Sequence, residues 1–104
     1  MAQFDVYTNP NPETKRTIPY LLDVQADLLS NLTTRVVIPL YSAHAMSKAA
    51  KYLNPQFSIK RINVIMSTAE LAGITVNSLG NNVCSLKEHR NEIIAALDFL
   101  ITGF

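Results

Sequence analysis

Hydrophobic periodicity changes character near Ser85, and that change limits what this chain can fold into. From there on, apolar residues recur at helical spacing: Leu86, Ile93, Ile94, Leu97, Leu100 and Ile101. This spacing gives one apolar face on one helix. Ser85-Leu86-Lys87-Glu88 has the S-x-x-E form of a capping box, in which the Ser85 hydroxyl accepts from the Glu88 N–H and the Glu88 carboxylate accepts from the Ser85 N–H. Gly103 is placed to end the helix in a left-handed conformation.

Upstream, the runs are short and mostly strand-like. Phe4 to Thr8 alternates apolar and polar residues, and Asn9-Pro10-Asn11-Pro12 stops it. Asn9 to Thr17 is expected to be an exposed, mobile loop. Ile18 to Val24 predicts a second strand, and Arg35 to Leu40 a third, buried by its β-branched run. Pro39 inside it predicts a bulge or an exposed edge. Ser42 to Leu53 carries alanines at helical spacing and predicts a short helix or helical turn, ended by Asn54-Pro55. Phe57 to Ser67 reads as two strands joined near Lys60-Arg61, although that turn lacks glycine. Ile74 to Leu79 alternates as a strand, and Gly80-Asn81-Asn82 breaks it. Many short strands with a final helix predict a mainly β, α+β fold: a small antiparallel barrel or sheet with an appended C-terminal helix.

Composition narrows the function classes. A chain of 104 residues fits one domain, residues 1–104. Apolar residues make up 48% and charged residues 16%, the reverse of a disordered chain. So few charges also suggest that some apolar surface is covered by a partner. The net charge is +1 and the basic residues are scattered, which argues against direct phosphate-backbone binding. The single cysteine, Cys84, excludes an internal disulfide and suits a reducing cytoplasm. No apolar run reaches a membrane span, and the N-terminus lacks the pattern of a signal peptide.

Catalytic signatures are thin. Two histidines, His44 and His89, stand apart from any metal-ligand spacing, so no metal and no cofactor is expected. Cys84 lies beside the expected helix start, where thiolate is favoured, but a small buried thiol is the simpler reading. Glu88-His89-Arg90 groups three ionisable residues, yet helical neighbours point apart and cannot converge on one atom. Phosphate-binding loops and nucleophile elbows are absent, and only three glycines occur. A terminal aromatic, Phe104, is the kind of ring that anchors a core or an interface.

The residues also resemble a known family. Gln3-Phe4-Asp5-Val6-Tyr7-Thr8, Asp23-Val24-Gln25-Ala26-Asp27-Leu28-Leu29, Val37-Ile38-Pro39-Leu40 with Ser42-Ala43, His89-Arg90-Asn91-Glu92-Ile93 and the terminal Gly103-aromatic pair occur in the order and spacing of the CcdB toxins. The resemblance runs over nearly the whole chain. It implies an SH3-like β-barrel of the CcdB/MazF type with a C-terminal helix, forming a homodimer in which Ile94, Leu97 and Ile101 meet near the dyad. It implies a cytoplasmic toxin of a toxin–antitoxin system that makes and breaks no bond itself. Such a toxin binds the A subunit of DNA gyrase and traps the enzyme with cleaved DNA. Its partners are a CcdA-like antitoxin and, only through that antitoxin in repression, operator DNA.

Carried over by position, the gyrase-binding surface combines Ala26, Leu28 and Leu29 with Asp98, Thr102, Gly103 and Phe104. The best-known plasmid form ends in Trp-Gly-Ile; here Thr102 stands for the tryptophan, Phe104 for the isoleucine, and Asp98 for an asparagine. A tryptophan ring stacks on arginine, whereas Thr102 offers a hydroxyl, which leaves Phe104 as the tail's aromatic anchor. The antitoxin's disordered segment is expected to contact the Asn9 to Thr17 loop and the Ser42 to Leu53 segment. Two other readings follow from the same fold: a MazF/Kid-like endoribonuclease, and a non-toxic relative that keeps only fold and dimer.

Overall fold

Alternating side chains need a sheet with one face turned to a core, and that is what forms. In the computed structural model, which describes residues 1–46 and 48–103, seven strands precede one α-helix. They are β1 (Asp5–Thr8), β2 (Tyr20–Asp23), β3 (Thr34–Ser42), β4 (Gln56–Ile59), β5 (Ile62–Met66), β6 (Ala72–Thr75) and β7 (Asn82–Ser85), followed by α1 (Arg90–Thr102). All pairings are antiparallel, in the order β4-β5-β3-β2-β1-β7, with β6 also on β3. The sheet curls as a half-barrel around Phe4, Val6, Leu22, Ile38, Leu40, Phe57, Val64 and Met66, all buried. Leu86, Ile93 and Ala96 close the open side. Each large aliphatic group removed from water contributes about 1.5–3 kcal/mol, so this one face accounts for much of the folding drive.

β3 is central, and its proline has a specific place. Residues Thr34 to Val37 pair with β6, and Leu40 to Ser42 pair with β5, along the same side of the strand. Pro39 falls in the gap between these partners, where no ladder acceptor waits for an N–H. Its carbonyl accepts from the Ser67 N–H at 3.0 Å. The proline therefore marks a change of partner inside the sheet; the expected bulge or exposed edge is corrected.

The β4–β5 turn is a two-residue hairpin, with Ile59 opposite Ile62. Lys60 and Arg61 both take positive φ, 49° and 68°, which a two-residue turn of this hand demands. Each lacks the freedom of glycine there, at a cost of about 1 kcal/mol. The Asn9 to Thr17 loop is mostly exposed but internally bonded: the Asn9 amide donates to Thr14 Oγ1 and to the Ile18 carbonyl, both at 2.9 Å.

Three expectations are corrected. Ser42 to Leu53 forms no helix among its described residues; only the helical-turn alternative survives, where the Asn54 N–H donates to the Ala50 carbonyl at 2.9 Å. Its ends are tied instead, by the Ala43 N–H to the Asn63 carbonyl and by Asn54, whose amide donates to the Met66 carbonyl and accepts from the Ala50 N–H. Alanine favours a helix, but isolated short helices are marginal without an apolar face to bury. The strand expected over Ile74 to Leu79 lies earlier, at Ala72–Thr75, and Val76–Ser78 is a turn of 3-10 helix. The Ser85 capping box does not form. Ser85 pairs with Asp5 as the last residue of β7, and its hydroxyl accepts from the Lys87 N–H at 3.2 Å. A 3-10 turn over Lys87–His89 intervenes, and α1 begins at Arg90 without a side-chain cap. The C-terminal reading holds: Gly103 has φ 81° and donates its N–H to the Phe99 carbonyl at 2.9 Å.

Candidate interaction surface

The knuckle between β2 and β3 is built from buried polar side chains that end in exposed apolar ones. Asp23 and Arg35 are 0% and 1% exposed and face each other across the strand pair. Arg35 Nε donates to Asp23 Oδ2 at 2.8 Å; Nη2 lies 2.7 Å from the same oxygen at an angle poor for hydrogen bonding. The other carboxylate oxygen, Oδ1, accepts from the Gln25 N–H at 3.0 Å. Burial pushes the Asp23 carboxyl up from its ordinary value, while the Arg35 and Gln25 hydrogen bonds pull it back.

Gln25 is itself buried, and its amide bridges the knuckle. Nε2 donates to the Leu29 carbonyl at 2.8 Å, and Oε1 accepts from the Val36 N–H at 3.1 Å. On the outside, Asp27 Oδ1 accepts from the Gln3 N–H at 2.7 Å, and Gln3 Nε2 donates to the Val24 carbonyl at 3.1 Å. Inside this frame a 3-10 turn runs over Asp27–Leu29. Its product is an apolar tip: Leu28 is 94% exposed, with Leu29 and Leu32 about half exposed. Leu32 joins because its N–H reaches the Leu29 carbonyl at 3.2 Å. Ala26, at the start of the turn, is also exposed.

The helix end offers a second surface. Ile93 and Ala96 point into the core, while Ile94 and Leu97 are partly buried against it. Ile101, one further turn on, is 74% exposed. Asp98, Thr102 and Gly103 are exposed, and the Thr102 hydroxyl donates to the Asp98 carbonyl at 2.7 Å. Phe104 lies outside the described residues. No hydrogen bond or ion pair among the described residues ties the knuckle to this helix. The two halves of the sequence-derived site are thus separately anchored.

Tyr52, which the sequence reading placed only within a longer segment, stands out. It is 69% exposed with φ 71°, its ring edge-on to Phe99 at 6.4 Å and under the Lys51 ammonium at 5.1 Å. Lys51, Tyr52, Pro55, Glu92 and Ala95 line a shallow groove beside α1.

Acid–base chemistry finds little footing. Glu88, His89 and Arg90 are exposed; His89 packs on the Phe57 ring at 5.0 Å and meets Glu92 at 3.3 Å. Burial, then Asp5 and Asp23, push the Tyr7 hydroxyl up, so it keeps its proton at neutral pH. Cys84 is half-buried in β7 and not at a helix start; burial pushes its thiol up. No group of three metal-ligating side chains occurs among the described residues, and no helix there is long and apolar enough to cross a membrane.

The fold defines a class first. A solved endoribonuclease in complex with its cognate antitoxin, from a Mycobacterial species, superposes with a TM-score of 0.76 at 12% identity, over 97% of this chain and 94% of that one. A curled sheet closed by a C-terminal helix is thus a scaffold this chain shares with a toxin–antitoxin protein. Within that class the family model described as "CcdB protein" matches residues 3–103. The chain belongs to the CcdB family, in agreement with its sequence resemblance, and so among toxins of toxin–antitoxin systems.

Proposed function

We propose that this protein acts without catalysis, as a homodimeric cytoplasmic toxin that binds the A subunit of DNA gyrase and holds the enzyme on cleaved DNA. The observation that carries this reading is the leucine tip of the knuckle. A leucine that is 94% exposed on a turn fixed by a part-buried hydrogen bond from Gln25 gains nothing for the lone chain. Burying it against a partner contributes about 1.5–3 kcal/mol at little further ordering cost. Ala26, Leu28 and Leu29 form one contact, and Asp98, Thr102, Gly103 and Phe104 the other. Ile94, Leu97 and Ile101 form the dimer seam, which accounts for an apolar stripe that the chain's own core covers only in part.

A CcdA-like antitoxin neutralises the toxin by wrapping it with a segment that folds on binding. Tyr52, the part of the groove that belongs to the Ser42 to Leu53 segment, supports contact there, because an exposed ring beside Ala95 and Phe99 of α1 suits an aliphatic or aromatic side chain. Operator DNA is reached only through that antitoxin.

The test compares purified protein in two assays: gyrase-dependent accumulation of cleaved plasmid, and degradation of RNA without gyrase. Cleaved plasmid that disappears with Gly103→Glu is expected. Degraded RNA with no effect on gyrase would establish the endoribonuclease reading instead, and inactivity in both would leave a non-toxic relative.

A further inference from the structure

We propose that Gln25 is a positioning residue that sets the angle and order of the leucine knuckle for its partner; this rests on the reading of Leu28 and Leu29 as contact residues. Gln25 is 6% exposed and spends its whole amide on two ends of one loop. Its donor takes the Leu29 carbonyl, directly behind the exposed tip, and its acceptor takes the Val36 N–H, at the point where the chain re-enters β3. Its backbone N–H is fixed in turn by Asp23, whose other oxygen holds Arg35. The strut therefore runs without interruption from a buried ion pair, through one amide, to the tip.

A merely structural glutamine would be expected to serve the core. Both hydrogen-bond partners of this one belong to the loop and its return. Without the bridge, the 3-10 turn keeps its own short bonds, from the Leu29, Ser30 and Leu32 N–H groups, and the Gln3 N–H on Asp27 at its start, with nothing holding the Leu29 end behind the tip. Such a turn, carrying exposed leucines, opens readily, and a partner must then order it on binding. Pre-ordering is what the amide contributes to recognition.

The experiment uses Gln25→Met, close in shape but without donor or acceptor, and Gln25→Glu, which keeps the acceptor and loses the donor. Amide hydrogen exchange of the full-length protein and binding to the gyrase A subunit are measured together. Expected in Gln25→Met is exchange at Leu29, Ser30 and Leu32 faster by about tenfold, with α1 amides unchanged, and affinity for gyrase A lower by about tenfold. Gln25→Glu serves if the methionine variant does not fold, and should loosen the same amides. Unchanged exchange at the knuckle in a folded variant would overturn the proposal, as would a uniform rise across α1, which marks a general loss of stability. Looser knuckle amides with unchanged gyrase binding would keep the strut and sink the contact reading of Leu28 and Leu29, as would a wild-type protein that ignores gyrase A.

Discussion

The segments on either side of β3 solve the same problem in opposite ways. The one before it, from Val24 to Thr33, has little regular structure and almost no apolar cover, yet the buried Asp23 carboxylate, itself held by Arg35, fixes its start, and the buried Gln25 amide spans it. The one after it, from Ala43 to Leu53, has the helix-favouring composition and no helix among its described residues. It is fixed at one end by the Ala43 N–H on the Asn63 carbonyl and at the other by Asn54 and by the Thr68 hydroxyl bonding to the Leu53 carbonyl, with exposed alanines between. Propensity is worth tenths of a kcal/mol per residue, whereas a satisfied buried polar group is worth a kcal/mol or more, so anchoring prevails over composition.

The largest effect should come from breaking the anchor of the first segment. Asp23→Ala leaves Arg35 buried without its carboxylate and should lower unfolding free energy by about 3–5 kcal/mol in urea titration. The double variant Asp23→Leu with Arg35→Met should recover much of that loss, because the isolated charge is what costs. For the second segment, Asn54→Ala removes two hydrogen bonds and should cost about 1–3 kcal/mol. A smaller and opposite change is expected at the β4–β5 turn, where Arg61→Gly relieves a positive φ and should raise stability by about 1 kcal/mol. Smallest of all should be Ala49→Gly with Ala50→Gly, below about 0.5 kcal/mol by thermal melting; a loss near 2 kcal/mol would reveal a helix and erase the difference between the two segments.

Away from both segments, Cys84 gives a pH readout. Burial raises its thiol, so the thiolate is scarcer in the folded chain than in the unfolded one. Alkylation by iodoacetamide should be slower folded than in urea, with the folded rate climbing at more alkaline pH. Equal rates at every pH would contradict the burial.

What the sequence made legible follows from distance along the chain. β1 was readable because alternation is local, β2 and β3 because apolar, aromatic and β-branched runs are, and the β4–β5 turn could be placed near Lys60-Arg61 even without a glycine. β7 was missed, since Asn82 reads as a breaker until Val6 is seen opposite Cys84. That pairing also draws Ser85 into a strand and dissolves the capping box. On the surface, Leu28 and Leu29 came from family resemblance alone; no local pattern marks an exposed leucine as exposed. Gln25 and Arg35 were silent because their partners lie 4 to 12 positions away and matter only once burial is known. Tyr52 was hidden by the helix expected around it.

The central claim is that a rigid leucine tip meets a protein partner. Titration calorimetry of the protein against the gyrase A subunit, with Leu28→Ala/Leu29→Ala beside the unaltered chain, tests it most directly. The account predicts binding by the unaltered chain and at least about a tenfold loss in the double variant, with its melting temperature unchanged because neither side chain is in the core. Equal affinity for both proteins, or no heat from either, would contradict it.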